Sequence, residues 1–141
     1  MSTQIRTQTP TTSATRSYGT VVSDVLLAAF SLSVVHTVYA WQSGLEDPDF
    51  TVTTPLAWAF YAVAFLVAFV ARREGRRLAW AVAAYLVLLL GIALLYYPVT
   101  FTPEKQTVFG WIENDVYVGL LVTALVLQVL RLRQVTLTTG R

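Results

Sequence analysis

Apolar residues fall in four long runs along this chain, and polar residues fill the gaps between them. The runs cover about 20–42, 55–71, 78–97 and 115–132. A backbone facing lipid must satisfy its own hydrogen bonds, so apolar runs of this length read as membrane helices. At 1.5 Å per residue, roughly 20 residues cross a hydrocarbon core. The second run is the short one, making only about 25 Å of helix, so its ends fall in the interfaces. The pattern predicts an all-α integral membrane domain at 19–133, with four transmembrane helices in an up-down antiparallel bundle. A Ser/Thr/Gln-rich segment at 1–18 has too little apolar surface to offset ordering and is expected to be a disordered tail. A short polar tail is expected at 134–141.

Local chemistry predicts where the helices begin and end. Thr54 followed by Pro55 gives a cap and a first-turn proline for the second run. Pro98 stops the third. Glu113, Asn114 and Asp115 sit where a helix N-terminus favours capping oxygens and negative charge, so the fourth is expected to start there. The residues from 99 to 114 then form the longest loop. The first run could also be read as a signal peptide, with small residues around Val38, Tyr39 and Ala40. Its apolar region exceeds the usual 7–15 residues and three more runs follow, which favours retention.

Small residues mark three faces suited to close helix approach. These are Ala57, Ala64, Ala68 and Ala71 in the second run, Ala84 and Gly91 in the third, and Gly119 with Thr123 in the fourth. No internal repeat is evident.

Composition agrees with this picture. Hydrophobic residues make up 55% of the 141, and charged residues 13%. A soluble domain carries about 25% charged residues. The absence of cysteine excludes disulfide scaffolds, thiol redox chemistry and Cys-ligated metals. No basic run is interleaved with aromatics on a polar face, so nucleic acid is not an expected partner.

Charge distribution sets the expected sidedness. Nine of the ten Lys/Arg residues are arginines at the two ends of the chain and in the hairpin Arg72-Arg73-Glu74-Gly75-Arg76-Arg77. The two other connections hold Lys105 against Glu46, Asp47, Asp49, Glu104, Glu113 and Asp115. By the positive-inside rule both termini are expected in the cytoplasm, and the bias argues against dual topology. Trp41, Trp58, Trp80 and Trp111 lie near expected interfaces, as in an aromatic belt.

Candidate chemistry is sparse. His36 is the one histidine, and on a helical wheel it shares a small, polar face with Ala29, Ser33, Thr37 and Ala40. An ionisable residue inside a span is a functional candidate, here for a haem ligand, a proton relay or a substrate contact. Its plainer role is a hydrogen bond that glues helices together, and one histidine does not make a bis-histidine haem site in a monomer. Asp24 lies within about a turn of the cytoplasmic end of the first run. It is either the charged site of a small proton-coupled transporter or an interfacial carboxylate near the hairpin arginines, helped by the helix N-terminus. Arg72, Arg73, Arg76 and Arg77 are candidate contacts for anionic lipid headgroups. Gln128 reads as an interhelical hydrogen-bond donor. The outer acids match no calcium loop.

No Gly-rich phosphate loop, H-E-x-x-H motif or pair of carboxylates within the spans is recognisable. Small four-span transporters and four-span redox proteins are similar in size and hairpin plan, but their buried mid-span Glu or cysteine pair is not recognised here, so nothing carries over. The expectation is a multi-pass plasma-membrane protein without a cofactor. It serves as a non-catalytic accessory, assembly or scaffold component, as a homo-oligomer or within a larger membrane complex. The alternatives are an oligomeric transporter or a haem- or quinone-binding redox subunit.

Overall fold

The computed structural model of the protein describes residues 17–45, 50–96 and 107–139. The expected tail through residue 16, the acidic turn at 46–49, the stop at Pro98, and Glu104 and Lys105 lie outside the described residues. The described chain is helical: α1 Tyr18–Gln42, α2 Pro55–Ala71, α3 Arg76–Gly91 and α4 Val108–Thr139. Five residues of wider π-helix, Ile92–Tyr96, continue α3. Tyr18–Gln42, Arg76–Leu95 and Val108–Gln134 are long and apolar enough to cross a membrane, while α2 is a shorter apolar helix of 17 residues.

Each helix end has a local cause. Ser17 caps α1, its Oγ accepting from the Thr20 N–H at 3.4 Å. Tyr18 therefore belongs to the helix and not to a tail. At the other end Gly44 takes φ +65°, and Leu45 N–H donates to Ala40 O at 2.9 Å. A left-handed residue there lets the chain fold back on the helix and satisfy its last carbonyls, and glycine adopts it without a Cβ penalty. Pro55 opens α2, but Thr54 does not cap it. The Thr54 hydroxyl turns back and donates to Thr51 O at 2.9 Å.

Several boundaries differ from expectation. α3 begins at Arg76, two residues inside the hairpin, after Gly75 at φ +137° reverses the chain. α4 begins seven residues before Asp115. Thr107 caps it, accepting from Gly110 N–H at 3.1 Å through Oγ1, with Trp111 N–H bonded to its carbonyl. Glu113 and Asp115 are thus inside the helix and do not cap it, and the expected loop is helical from residue 108. α4 also runs on through Thr139, beyond the expected end at Leu132. Between Leu132 and Gly140 the sequence has no proline or glycine to stop it.

α1 packs against both α2 and α4, and α3 packs mainly against α4, with a sparser contact to α2. The core joins Val22, Leu26 and Phe30 of α1 to Ala64, Ala68 and Ala71 of α2, Val82 and Leu86 of α3, and Leu121 and Ala124 of α4. The alanine stripe of α2 is buried as its spacing implied. Phe30 meets Phe65 edge-on at 6.1 Å.

The other two small-residue faces turn outward. Ala84, Gly119 and Thr123 are exposed. A Cβ added at Gly91 or Gly119 would meet nothing within 4 Å. The buried face of α3 is instead Ala79, Val82, Ala83, Leu86, Leu89 and Leu90. Large side chains such as Leu56, Leu66, Phe69, Leu88 and Leu95 point away from the bundle. The buried alanines of α2 let neighbouring helices come close, and association in lipid gains from such close packing and not from expelling water.

Candidate functional site

Two polar clusters sit at opposite ends of the bundle. The first gathers the later turns of α1 with the early turns of α2 and α4. Ser33, His36 and Thr37 recur at three- and four-residue spacing on α1, so they share one face. Tyr61 reaches this face from α2. Its hydroxyl lies 2.6 Å from Thr37 Oγ1, 3.2 Å from Ser33 Oγ and 3.0 Å from Ser33 O. Thr37 Oγ1 in turn donates to Ser33 O at 3.1 Å. One direction uses each hydroxyl proton once: Ser33 donates to Tyr61, Tyr61 to Thr37, and Thr37 to the Ser33 carbonyl.

Beside this chain, His36 Nδ1 lies 2.8 Å from Glu113 Oε2. Glu113 is buried at 7% exposure, and His36 is 22% exposed. The carboxylate oxygen is off the direction an Nδ1–H bond requires, so the contact is a close polar pair and not an aligned hydrogen bond. The Tyr39 and Phe109 rings meet at a tilt with centroids 4.7 Å apart, tying α1 to the first turn of α4.

The early part of α4, with Glu113, was expected to be an acidic loop and helix start. The structure buries Glu113 among three helices. A signal for this was present in the sequence. Glu113, Tyr117, Leu121, Ala124 and Gln128 recur at intervals of three or four, and that stripe faces the bundle.

The second cluster lies around the hairpin. Arg72 Nε donates to Ser23 Oγ at 2.8 Å, and its Nη2 lies 3.2 Å from Asp24 Oδ1. Asp24 therefore pairs across to the start of the hairpin, with both partners about two-fifths exposed. Arg131 of α4 is buried and donates to Ala71 O at 2.8 Å and to Arg73 O. Ala71 O is the last carbonyl of α2, at the negative end of its dipole, and Arg73 O follows it in the hairpin, so a planar two-pronged cation suits the pair. Gly19 lets α1 approach this corner, because a Cβ there would lie 2.7 Å from Ala71 O. Gln128 Nε2 donates to Ala79 O at 2.7 Å, joining α4 to α3. Sequence reasoning placed Arg131 at a helix end, and nothing in its spacing signalled that it would cap a different helix.

Chemically, the first cluster offers a carboxylate, an imidazole and a run of hydroxyls. Such a set can exchange a proton or hold a small polar group. With Nδ1 turned to Glu113, Nε2 is the ring nitrogen left for a haem or metal. Among the described residues, no group of three or more His, Cys, Asp or Glu side chains comes together to hold a metal ion. The side chains of Arg73, Arg76 and Arg77 are exposed, although the Arg73 carbonyl belongs to the second cluster. No protein family, curated protein or solved structure matches this chain.

Proposed function

We propose that this is a four-span protein of the plasma membrane, an up-down antiparallel bundle with both termini cytoplasmic, acting as a non-catalytic assembly or scaffold component. The contacts of Asp24 with Arg72 and of Arg131 with Ala71 at one end, and of His36 with Glu113 and Tyr61 with Thr37 at the other, support the antiparallel plan. The nine-to-one split of basic residues supports the sidedness.

The observation that carries the assembly role is the outward direction of the small residues on α3 and α4. The Gln128–Ala79 bond fixes the register of these helices. Counting five residues from each partner puts Ala84 and Thr123 at one depth. Gly119 lies one turn further along α4, and open space surrounds it. Small outward residues such as these let a further helix, from a second copy or a larger partner, approach closely.

The chain has no cysteine, so single-cysteine variants test this directly. Ala84→Cys or Thr123→Cys should cross-link in native membranes to a second copy or to a partner that mass spectrometry identifies after mild extraction. Cysteines at the bulky outward positions Leu66 and Phe69 should not. A protein that extracts alone and cross-links nowhere contradicts the reading.

The His36–Glu113 pair favours a second reading, an oligomeric transporter that uses it as a proton or cation relay. Flux into vesicles should then fall for His36→Ala and for Glu113→Gln. Equal flux in wild type and both variants removes this reading.

A further inference from the structure

We propose that Arg73, Arg76 and Arg77 form a docking surface for the phosphates of anionic lipids in the leaflet that the hairpin faces. The structure divides the hairpin arginines by role. Arg72 is held by Ser23 and Asp24 and lies over the Phe69 ring at 5.6 Å. Arg131, from α4, is taken up by the carbonyls of Ala71 and Arg73. Among the described residues, the guanidinium groups of Arg73, Arg76 and Arg77 have no acid partner. Glu74, the one acid of the hairpin, lies within electrostatic reach of Arg131.

The position of these three charges is unfavourable in isolation. Arg76 and Arg77 open α3, whose first turn holds no acid, and the capping position is Gly75, which has no side chain to cap with. A helix N-terminus is the positive end of its dipole, so two cations there repel it and each other. An anion supplied from outside relieves both.

The neighbouring side chains identify a lipid source over free phosphate. Phe69, Leu78 and Trp80, within about a turn of the patch, are exposed and apolar. They place the guanidinium groups at the boundary where hydrocarbon gives way to headgroups. Charge complementarity therefore selects an anionic headgroup at that depth.

Trp80 serves as a reporter. The full chain, with Trp41→Phe, Trp58→Phe and Trp111→Phe, is placed in vesicles that mix phosphatidylglycerol with phosphatidylcholine. One lipid or the other carries the brominated chains. Quenching of Trp80 by the brominated anionic lipid should exceed that by the zwitterionic one by roughly fivefold or more, from the attraction of each guanidinium near a charged surface. The ratio should fall toward one in Arg73→Gln/Arg76→Gln/Arg77→Gln and stay high in the matching triple Lys variant. High salt should lower it in the unsubstituted hairpin, which gives a readout if the Gln variant does not fold. Inorganic phosphate added to phosphatidylcholine vesicles should leave Trp80 unchanged. Equal quenching by the two lipids, or a preference that survives the Gln variant, overturns the proposal. A response to free phosphate alone overturns the lipid assignment.

Discussion

Glu113 and Arg131 are the two buried charged side chains on α4, and each is held by a different helix. Removing one member of a buried charged or polar pair leaves the other unsatisfied, which costs about 3 kcal/mol, while removing both for apolar residues is far cheaper. His36→Leu should therefore lower stability in detergent more than His36→Leu/Glu113→Leu does, as read by a double-mutant unfolding cycle. Arg131→Met should cost about 1–3 kcal/mol, because the α2 carbonyls lose their donors. Gly19→Ala should destabilise by a similar 1–3 kcal/mol, since the added Cβ falls on a backbone oxygen that cannot swing aside. Thermal unfolding monitored by circular dichroism ranks all of these. His36 and Asp24 stood out in the sequence because charge is rare in apolar runs. Asp24 also found its partner, Arg72, among the hairpin arginines expected near it, but the two buried charges of α4 did not stand out. Glu113 looked like loop chemistry, and Arg131 looked like a sidedness signal.

At the scale of elements, α2 was legible from end to end. Pro55 marks its start, and the arginines after Ala71 mark its end. The start of α4 was not. Glu-Asn-Asp is as good a capping sequence as Thr107 with its hydroxyl, and the choice between them comes from packing. Starting at Thr107 puts Phe109 on Tyr39 and Glu113 on His36. Thr107→Ala should cost about 1 kcal/mol and fray that first turn. Faster amide exchange from 108 through 113, with α2 unaffected, is the expected signature. The small-residue faces show a second kind of illegibility. Spacing reveals that a helix has a narrow face, but in lipid both the inside and the outside of a bundle are apolar. Hydropathy therefore does not say that the α2 face turns in while those of α3 and α4 turn out.

For the whole molecule, hydropathy marked out the four apolar helices that the described residues form, and charge proposes how they are oriented. The arginine split gives a sidedness that labelling can check. Glu74→Cys should react with an impermeant maleimide only after the cell is opened, and Val108→Cys should react in intact cells. The reverse result would invert the proposed orientation. The helices also differ greatly in length. α2 has 17 residues and α4 has 32, which makes about 25 Å beside about 48 Å of helix. A bilayer core of roughly 30 Å is thicker than α2 is long, whereas α4 extends past it with Asp115 toward one end and Arg131 and Arg133 toward the other. With all four helices crossing, the surrounding membrane is pinched beside α2, and lipids with short acyl chains collect on that flank.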